Sequence, residues 1–378
     1  MEQSTAFCIY DGFMFCPAKV ETQYIASPVL YNLSGVIMQK TELRNYTRDE
    51  LEAIVKKSGG NKADSFSLFE CLYRQEIKDF KDIKGINLKV VKAIETNYSL
   101  NALKVCAKQE SKKDKTQKLL LALADGKKTE TVIIPSGHGY SACISSQAGC
   151  ACGCAFCATG KIGFKRDLTV SEITGQYMAA KKASGGELNN IIFMGMGEPF
   201  LNFDNLIKSI NILTDHKGFA FPQTKITIST CGIAPKIKAL ADSGLRVNLA
   251  VSIVAADTKL RNKLMPVNRK FPLPVVIEAV KYYNKITGKQ VFFEYILFDG
   301  INDRAEDALT FYDLIKDTDC KVNLIVYNTV KDIKLKPPQD VKAKLFQKIL
   351  VDKGIRTYQR REKGADISAA CGQLAGEA

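Results

Sequence analysis

Five of the chain's twelve cysteines fall between Cys143 and Cys157, in the run CISSQAGCACGCAFC. Cys150, Cys154 and Cys157 are spaced C-x3-C-x2-C, which puts three thiols in one short loop. Thiolates so placed can wrap a single cubic iron–sulfur cluster, each iron taking one sulfur ligand. A ferredoxin-type site would bring a fourth cysteine; three leave one iron open. Zinc is the competing reading, but it asks for four ligands, usually as two pairs of cysteine or histidine. The chain has no second C-x2-C, and its two histidines, His138 and His216, stand in no ligand-like pair. Cys152 is too close to Cys154 for both to ligate comfortably and reads as incidental. Cys8, Cys16, Cys71, Cys106 and Cys320 are scattered, as small buried or incidental residues are.

An iron with a free site can chelate the amino and carboxylate groups of S-adenosylmethionine (SAM). A reduced cluster can then split the C–S bond homolytically to a 5′-deoxyadenosyl radical, chemistry no side chain performs. Gly195-Met196-Gly197-Glu198-Pro199 follows the next apolar run. The glycines let backbone approach the amino acid end of such a ligand, and Glu198 offers a carboxylate to its ammonium. The cysteine loop, with Phe156 before its last cysteine, and the GMGEP turn resemble those of radical SAM enzymes. The likeness narrows with Cys143-Ile-Ser-Ser-Gln, Ala158-Thr159-Gly160 and the tail Asp366-Ile-Ser-Ala-Ala-Cys371-Gly-Gln-Leu-Ala-Gly. Together these are similar to the radical SAM methyltransferases that modify one adenine of 23S rRNA, over roughly residues 40 to 378.

That resemblance implies a [4Fe–4S] cluster on Cys150, Cys154 and Cys157, and two SAM molecules per turnover. It implies that Cys371 accepts a methyl from the first SAM, and that the radical from the second removes hydrogen from that methyl. The carbon radical then joins the base, a carboxylate takes the ring proton, and Cys143 attacks the Cys371 sulfur, leaving methylated RNA and a disulfide. Glu130 matches the proton acceptor. Gly197, Glu198, Ser229, Ser252 and Asn328 match SAM-binding positions. Ile253 and Val254 stand where the family usually has Leu-His, so only a backbone role is expected of them. Asn328 is followed by Thr rather than the usual Pro. The implied product is 2-methyladenine in 23S rRNA, with tRNA as a second candidate substrate and a flavodoxin or ferredoxin as electron donor. Methylation at C8 of the same adenine, as in the antibiotic-resistance branch, is the near alternative. A non-catalytic iron–sulfur or zinc RNA-binding protein is the alternative of another class.

These groups need a scaffold, and the bulk of the chain describes one. With 378 residues, 46% of them hydrophobic, the chain can bury a large core. A net charge of +14 favours a polyanionic partner. No apolar run is long enough to span a bilayer and the first residues lack a signal-peptide profile, so a soluble cytoplasmic protein is expected. Residues 1–39 carry no clear period and are left unassigned. Residues 40–117 read as a small helical domain, to which the resemblance gives an RNA-binding role: Thr47 and Glu50 form a capping box, and further helices are expected over 66–77 and 87–95. The run Ser111–Lys118 reads as a solvated basic linker ending it. LLLAL (119–123) and ETVII (130–134) around Asp125-Gly126 predict a hairpin. Apolar runs at 190–194, 225–229, 247–253, 291–297 and 321–327 then alternate with amphipathic helices at 171–183, 201–214, 234–243, 273–286, 305–317 and 338–352. Such alternation implies parallel strands joined by right-handed crossovers. About six units are too few for a closed eight-fold barrel. The expected fold of residues 118–378 is therefore an α/β partial (β/α)6 barrel, with ligands at the C-terminal strand ends.

Overall fold

A computed structural model describes residues 40–376 except Ala102, His138 and Arg361. The N-terminal extension with Cys8 and Cys16, and His138, therefore lie outside the described residues. Ten strands form one sheet whose order follows the chain. Strands β1 (Lys104–Glu110), β2 (Gln117–Ala122) and β3 (Lys128–Pro135) form an antiparallel meander, and β3 pairs antiparallel with β4 (Tyr140–Cys143). From β4 the pairing turns parallel, through β5 (Leu188–Phe193), β6 (Ile226–Thr230), β7 (Asn248–Ser252), β8 (Val291–Leu297), β9 (Cys320–Val326) and β10 (Thr357–Arg360).

Before the sheet come α1 (Arg48–Lys57), α2 (Lys62–Tyr73) and α3 (Leu88–Asn97). A short helix, α4 (Ala158–Ile162), closes the cysteine loop. The crossovers are carried by α5 (Val170–Ala183), α6 (Phe203–Thr214), α7 (Ala234–Asp242), α8 (Thr258–Leu264) with α9 (Leu273–Thr287), α10 (Ala305–Ile315) and α11 (Asp340–Asp352). Strands β4 to β9 are thus each followed by a helix, the six-unit partial barrel expected, with β4 supplying a strand that the apolar runs did not show. The sheet's outer strands, β1 and β10, do not pair, so it stays open.

The capping box of Thr47 and Glu50 starts α1 as expected. Helix α2 begins earlier than its apolar spacing suggests, because Asn61 and Asp64 cap it reciprocally. Leu51, Val55, Phe69 and Ile94 of these helices share a core with Val170 and Ile212 of α5 and α6. The basic run Ser111–Lys118 is a correction: it is the turn joining β1 to β2, with Ser111 and Thr116 fully buried and Lys118 nearly so. The charge count hid a hairpin turn whose exposed lysines, Lys112, Lys113 and Lys115, lie between the buried Ser111 and Thr116.

Register decides what faces the inside. Residues paired across a sheet share a face, as do alternate residues along a strand. Val132 pairs with Lys118 and with Cys143, Cys143 with Ile192, and Ser252 with Glu294. Glu294 pairs with Asn323, and Ile325, two residues on, with Arg360. Glu130, Cys143, Ser252, Glu294, Asn323 and Arg360 therefore occupy one face, while the other carries apolar residues to the helices.

Candidate active site

The cysteine loop leaves β4 at Cys143 and is fastened at several points. The amide of Cys150 donates to Gly163 O (3.2 Å), that of Ala155 to Leu264 O (2.9 Å) and that of Ala158 to Gly372 O (2.8 Å). Cys150, Cys154 and Cys157 are half-buried at the mouth of the barrel. Burial raises the thiols of Cys154 and Cys157, and the neighbouring sulfurs of the loop raise them further. Three thiols that disfavour one another as anions, gathered at strand ends, form a donor set that fits a cationic iron cube.

The GMGEP turn docks directly on this loop. Met196 O accepts from the amides of Ser146 and Gln147, and Glu198 N donates to Gln147 Oε1 (2.9 Å). Gly197 has φ +98°, and a Cβ there would sit 2.7 Å from Gln147 N. Only glycine lets the two backbones meet so closely. Glu198 is buried, its carboxylate accepting from Phe200 N (3.0 Å) and Cys231 N (2.7 Å), and burial raises its pKa. It thereby joins the end of β5 to the end of β6.

Cys152, read as incidental to the cluster ligands, is buried with its sulfur 3.4 Å from that of Cys231. Among the described residues, Cys152, Cys231 and Glu198 hold their donor atoms within 4.8 Å of one another. Cys231, two residues beyond Ser229 at the end of β6, gave no sign in sequence beyond that position.

Ser229 and Ser252 lie on β6 and β7, as the strand pattern predicts. Just past β7, Ile253 and Val254 are fully buried, and Val254 adopts φ +65°. A β-branched residue in the left-handed region is strained and persists only where surroundings hold it. Here Asn302 Nδ2 donates to Val254 O (2.6 Å), and Arg261 donates to Ile253 O (2.9 Å), Ser252 O (3.0 Å) and Cys231 O (2.9 Å). Arg261 is fully buried and staples the ends of β6 and β7. Sequence reading passed it over, since an arginine on a short helix looks like a solvated one.

The C-terminal tail crosses this mouth. Asn328 Nδ2 donates to Cys371 O (3.1 Å), Gln373 Nε2 to Thr329 O (2.9 Å) and Thr159 Oγ1 to Leu374 O (2.7 Å). Glu130, fully buried, accepts at Oε2 from the amides of Ala375 (2.9 Å) and Gly376 (3.0 Å), with Lys118 Nζ 3.0 Å from Oε1. The fold thus brings Cys371 to Cys143 from across the sequence. Cys143 packs with Val132, Met196, Ala369 and Leu374. Burial, then the adjacent Cys371, push its thiol up to about 12, with Arg360 opposing.

Residues 144–312 match the model of the radical SAM superfamily. A probable dual-specificity RNA methyltransferase RlmN of Acholeplasma laidlawii is 40% identical over 328 residues, which are 87% of this chain and 97% of that one. Its counterpart in Halalkalibacterium halodurans is 41% identical, with 86% and 91% covered. The crystal structure of a radical SAM methyltransferase from Sphaerobacter thermophilus superposes with a TM-score of 0.84 at 36% identity, covering 89% of this chain and 100% of that one. Open barrel and three-cysteine loop are those of a radical SAM enzyme. Within that class the chain belongs to the dual-specificity RNA methyltransferase family. It is a radical methyltransferase that depends on SAM and a [4Fe–4S] cluster.

Proposed function

We propose that this protein methylates C2 of one adenine in 23S rRNA, with tRNA as a second substrate, through an S-methyl group carried on Cys371. The observation that supports it most is the tail that carries Cys371 against Cys143 over the strand ends. Carbons C2 and C8 of adenine lie between nitrogens and are too electron-poor to take a methyl from SAM by polar attack. Bound at the loop, the cluster and SAM supply a methyl group and, from a second SAM, a 5′-deoxyadenosyl radical.

Cys150, Cys154 and Cys157 hold the cluster. Gly197, Glu198, Ser229, Ser252, Asn328 and the backbone of Ile253 and Val254 seat SAM. Cys371 carries the methyl and, after losing a hydrogen atom from it, joins the base. Glu130 takes the ring proton, the unpaired electron of the adduct would pass back to the bound cluster, and the proton transfer requires Ala375 and Gly376 to lift from the Glu130 carboxylate. Cys143 then attacks the Cys371 sulfur and frees the product. For the RNA, support comes from the +14 charge and from a cavity of about 380 Å³ beside the tail, lined by Lys161 and Lys331. Residues 40–117 serve as the accessory RNA-binding part. The reaction belongs in the cytoplasm, with a flavodoxin or ferredoxin as reductant.

Anaerobically reconstituted enzyme, given RNA carrying adenine deuterated at C2 or at C8, tests this by mass spectrometry. Deuterium lost from C2 with one methyl gained is the expected result. Loss from C8 would establish the antibiotic-resistance chemistry instead. Absence of deoxyadenosine under strong reductant would leave only a non-catalytic RNA-binding role.

A further inference from the structure

We infer that Arg360 is a positioning residue for the sulfur exchange, placing positive charge beside Cys143 so that it attacks as a thiolate. The inference rests on the two-cysteine reading above. Arg360 ends β10, and its register puts it on the same face of the sheet as Cys143. One residue touches both: the Met194 amide hydrogen-bonds the Cys143 sulfur, and Met194 Sδ lies 3.4 Å from Arg360 Nη1.

The charge of Arg360 is not consumed in a tight ion pair. Its nearest carboxylate influence is Glu294 on β8, which accepts from Asn323 Nδ2 (2.9 Å) at one oxygen. The other oxygen has no hydrogen-bond partner among the described residues. Arg360 acts most strongly on Cys371, then on Glu294 and Cys143. Of the other charged groups on this face, Glu130 and Lys118 are already paired with each other, Lys104 and Lys128 are exposed, and Lys321 lies at the far, N-terminal end of β9. From β5 and the turn after it, Ile192, Met194 and Met196 pack against the Cys143 cluster, and none carries a charge.

The release step needs that charge. The Cys143 thiol gives up its proton, and its sulfur forms an S–S bond with Cys371. The bond from Cys371 sulfur to the RNA-linked carbon breaks, and its electron pair stays on that carbon, which takes a proton to become the methyl. Cys143 sits among Val132, Ala369 and Leu374, where an anion without a counter-charge is strongly disfavoured.

The test isolates this exchange from RNA chemistry. Holoenzyme reconstituted with Cys8, Cys16 and Cys106 changed to Ser, so that these thiols do not compete, is mixed anaerobically with 4,4′-dithiodipyridine, which modifies the half-buried Cys371 before the buried Cys143. The second release of thiopyridone reports Cys143 attacking that mixed disulfide, and peptide mapping verifies the Cys143–Cys371 product. Arg360→Gln is expected to slow the second phase about tenfold at a fixed pH near 8. Arg360→Lys is expected to recover most of the rate. Glu294→Gln removes the opposing charge and should speed the second phase; mere structural damage would not produce that direction. An unchanged second-phase rate in both Arg360→Gln and Glu294→Gln overturns the inference. Because no RNA is present, altered rates with no adenine methylation would refute the proposed function alone, and methylation with unaltered rates would refute the role of Arg360 alone.

Discussion

Cys143 and Cys371 have the same side chain and opposite circumstances. Cys371 is half-buried on a loop, whereas Cys143 is sealed at a strand end with its thiol raised to about 12. Burial disfavours the Cys143 thiolate, which suits the proposed route, in which Cys371 takes the methyl group. Replacing Cys371 with Ala is expected to abolish methylation while the visible absorbance of the reconstituted cluster is kept; retained methylation in a mass assay would refute the two-cysteine route. A second residue carries stability rather than chemistry. Arg261 satisfies three backbone carbonyls and Asn268 Oδ1 from a fully buried position. Arg261→Met strands those acceptors and should cost about 3 kcal/mol or more, read as a lower urea midpoint.

At the scale of elements, the tail matters because it is tied to the meander as well as to the barrel. Asp114, in the turn between β1 and β2, accepts from the Gly364 amide (2.9 Å), and Asp366 accepts from Lys112 N (3.2 Å). Partial burial raises the Asp114 carboxyl, but hydrogen bonds from Thr116, Gly364 and Ser111 outweigh it and leave the group at about 2. The sign follows from a lowered folded value. The stabilisation is full above the ordinary carboxylate range near pH 4 and fades as pH falls through about 2. Asp114→Asn should loosen the tail at neutral pH, seen as faster proteolytic clipping near residue 364; an unaltered clipping rate would show that the barrel contacts alone hold it.

For the molecule as a whole, two of its 54 basic residues stand beside the candidate site. Lys161 and Lys331 line the cavity beside the tail, next to the loop that carries Cys371. The double change Lys161→Glu and Lys331→Glu is expected to weaken RNA binding and to flatten its dependence on salt, by roughly one unit of slope for each phosphate no longer neutralised. Equal slopes for variant and parent would place the RNA elsewhere. Among the described residues no helix is long and apolar enough to cross a membrane.

The cysteine loop, the GMGEP turn and the repeating strand–helix units were legible because each is local. Ligand spacing, a glycine at a close approach and apolar periodicity are all written within a few residues of one another. Strands β1, β4 and β10 were not legible, being exposed or short and given their partners only by the sheet. The pairing of Cys152 with Cys231, the burial of Arg261 and Lys118, and the approach of Arg360 to Cys143 were likewise hidden. Each joins residues far apart in the chain, and its electrostatics depends on how much water the fold removes. Linear order states which groups are present; parallel register and the path of the last residues determine which of them meet, and in what dielectric.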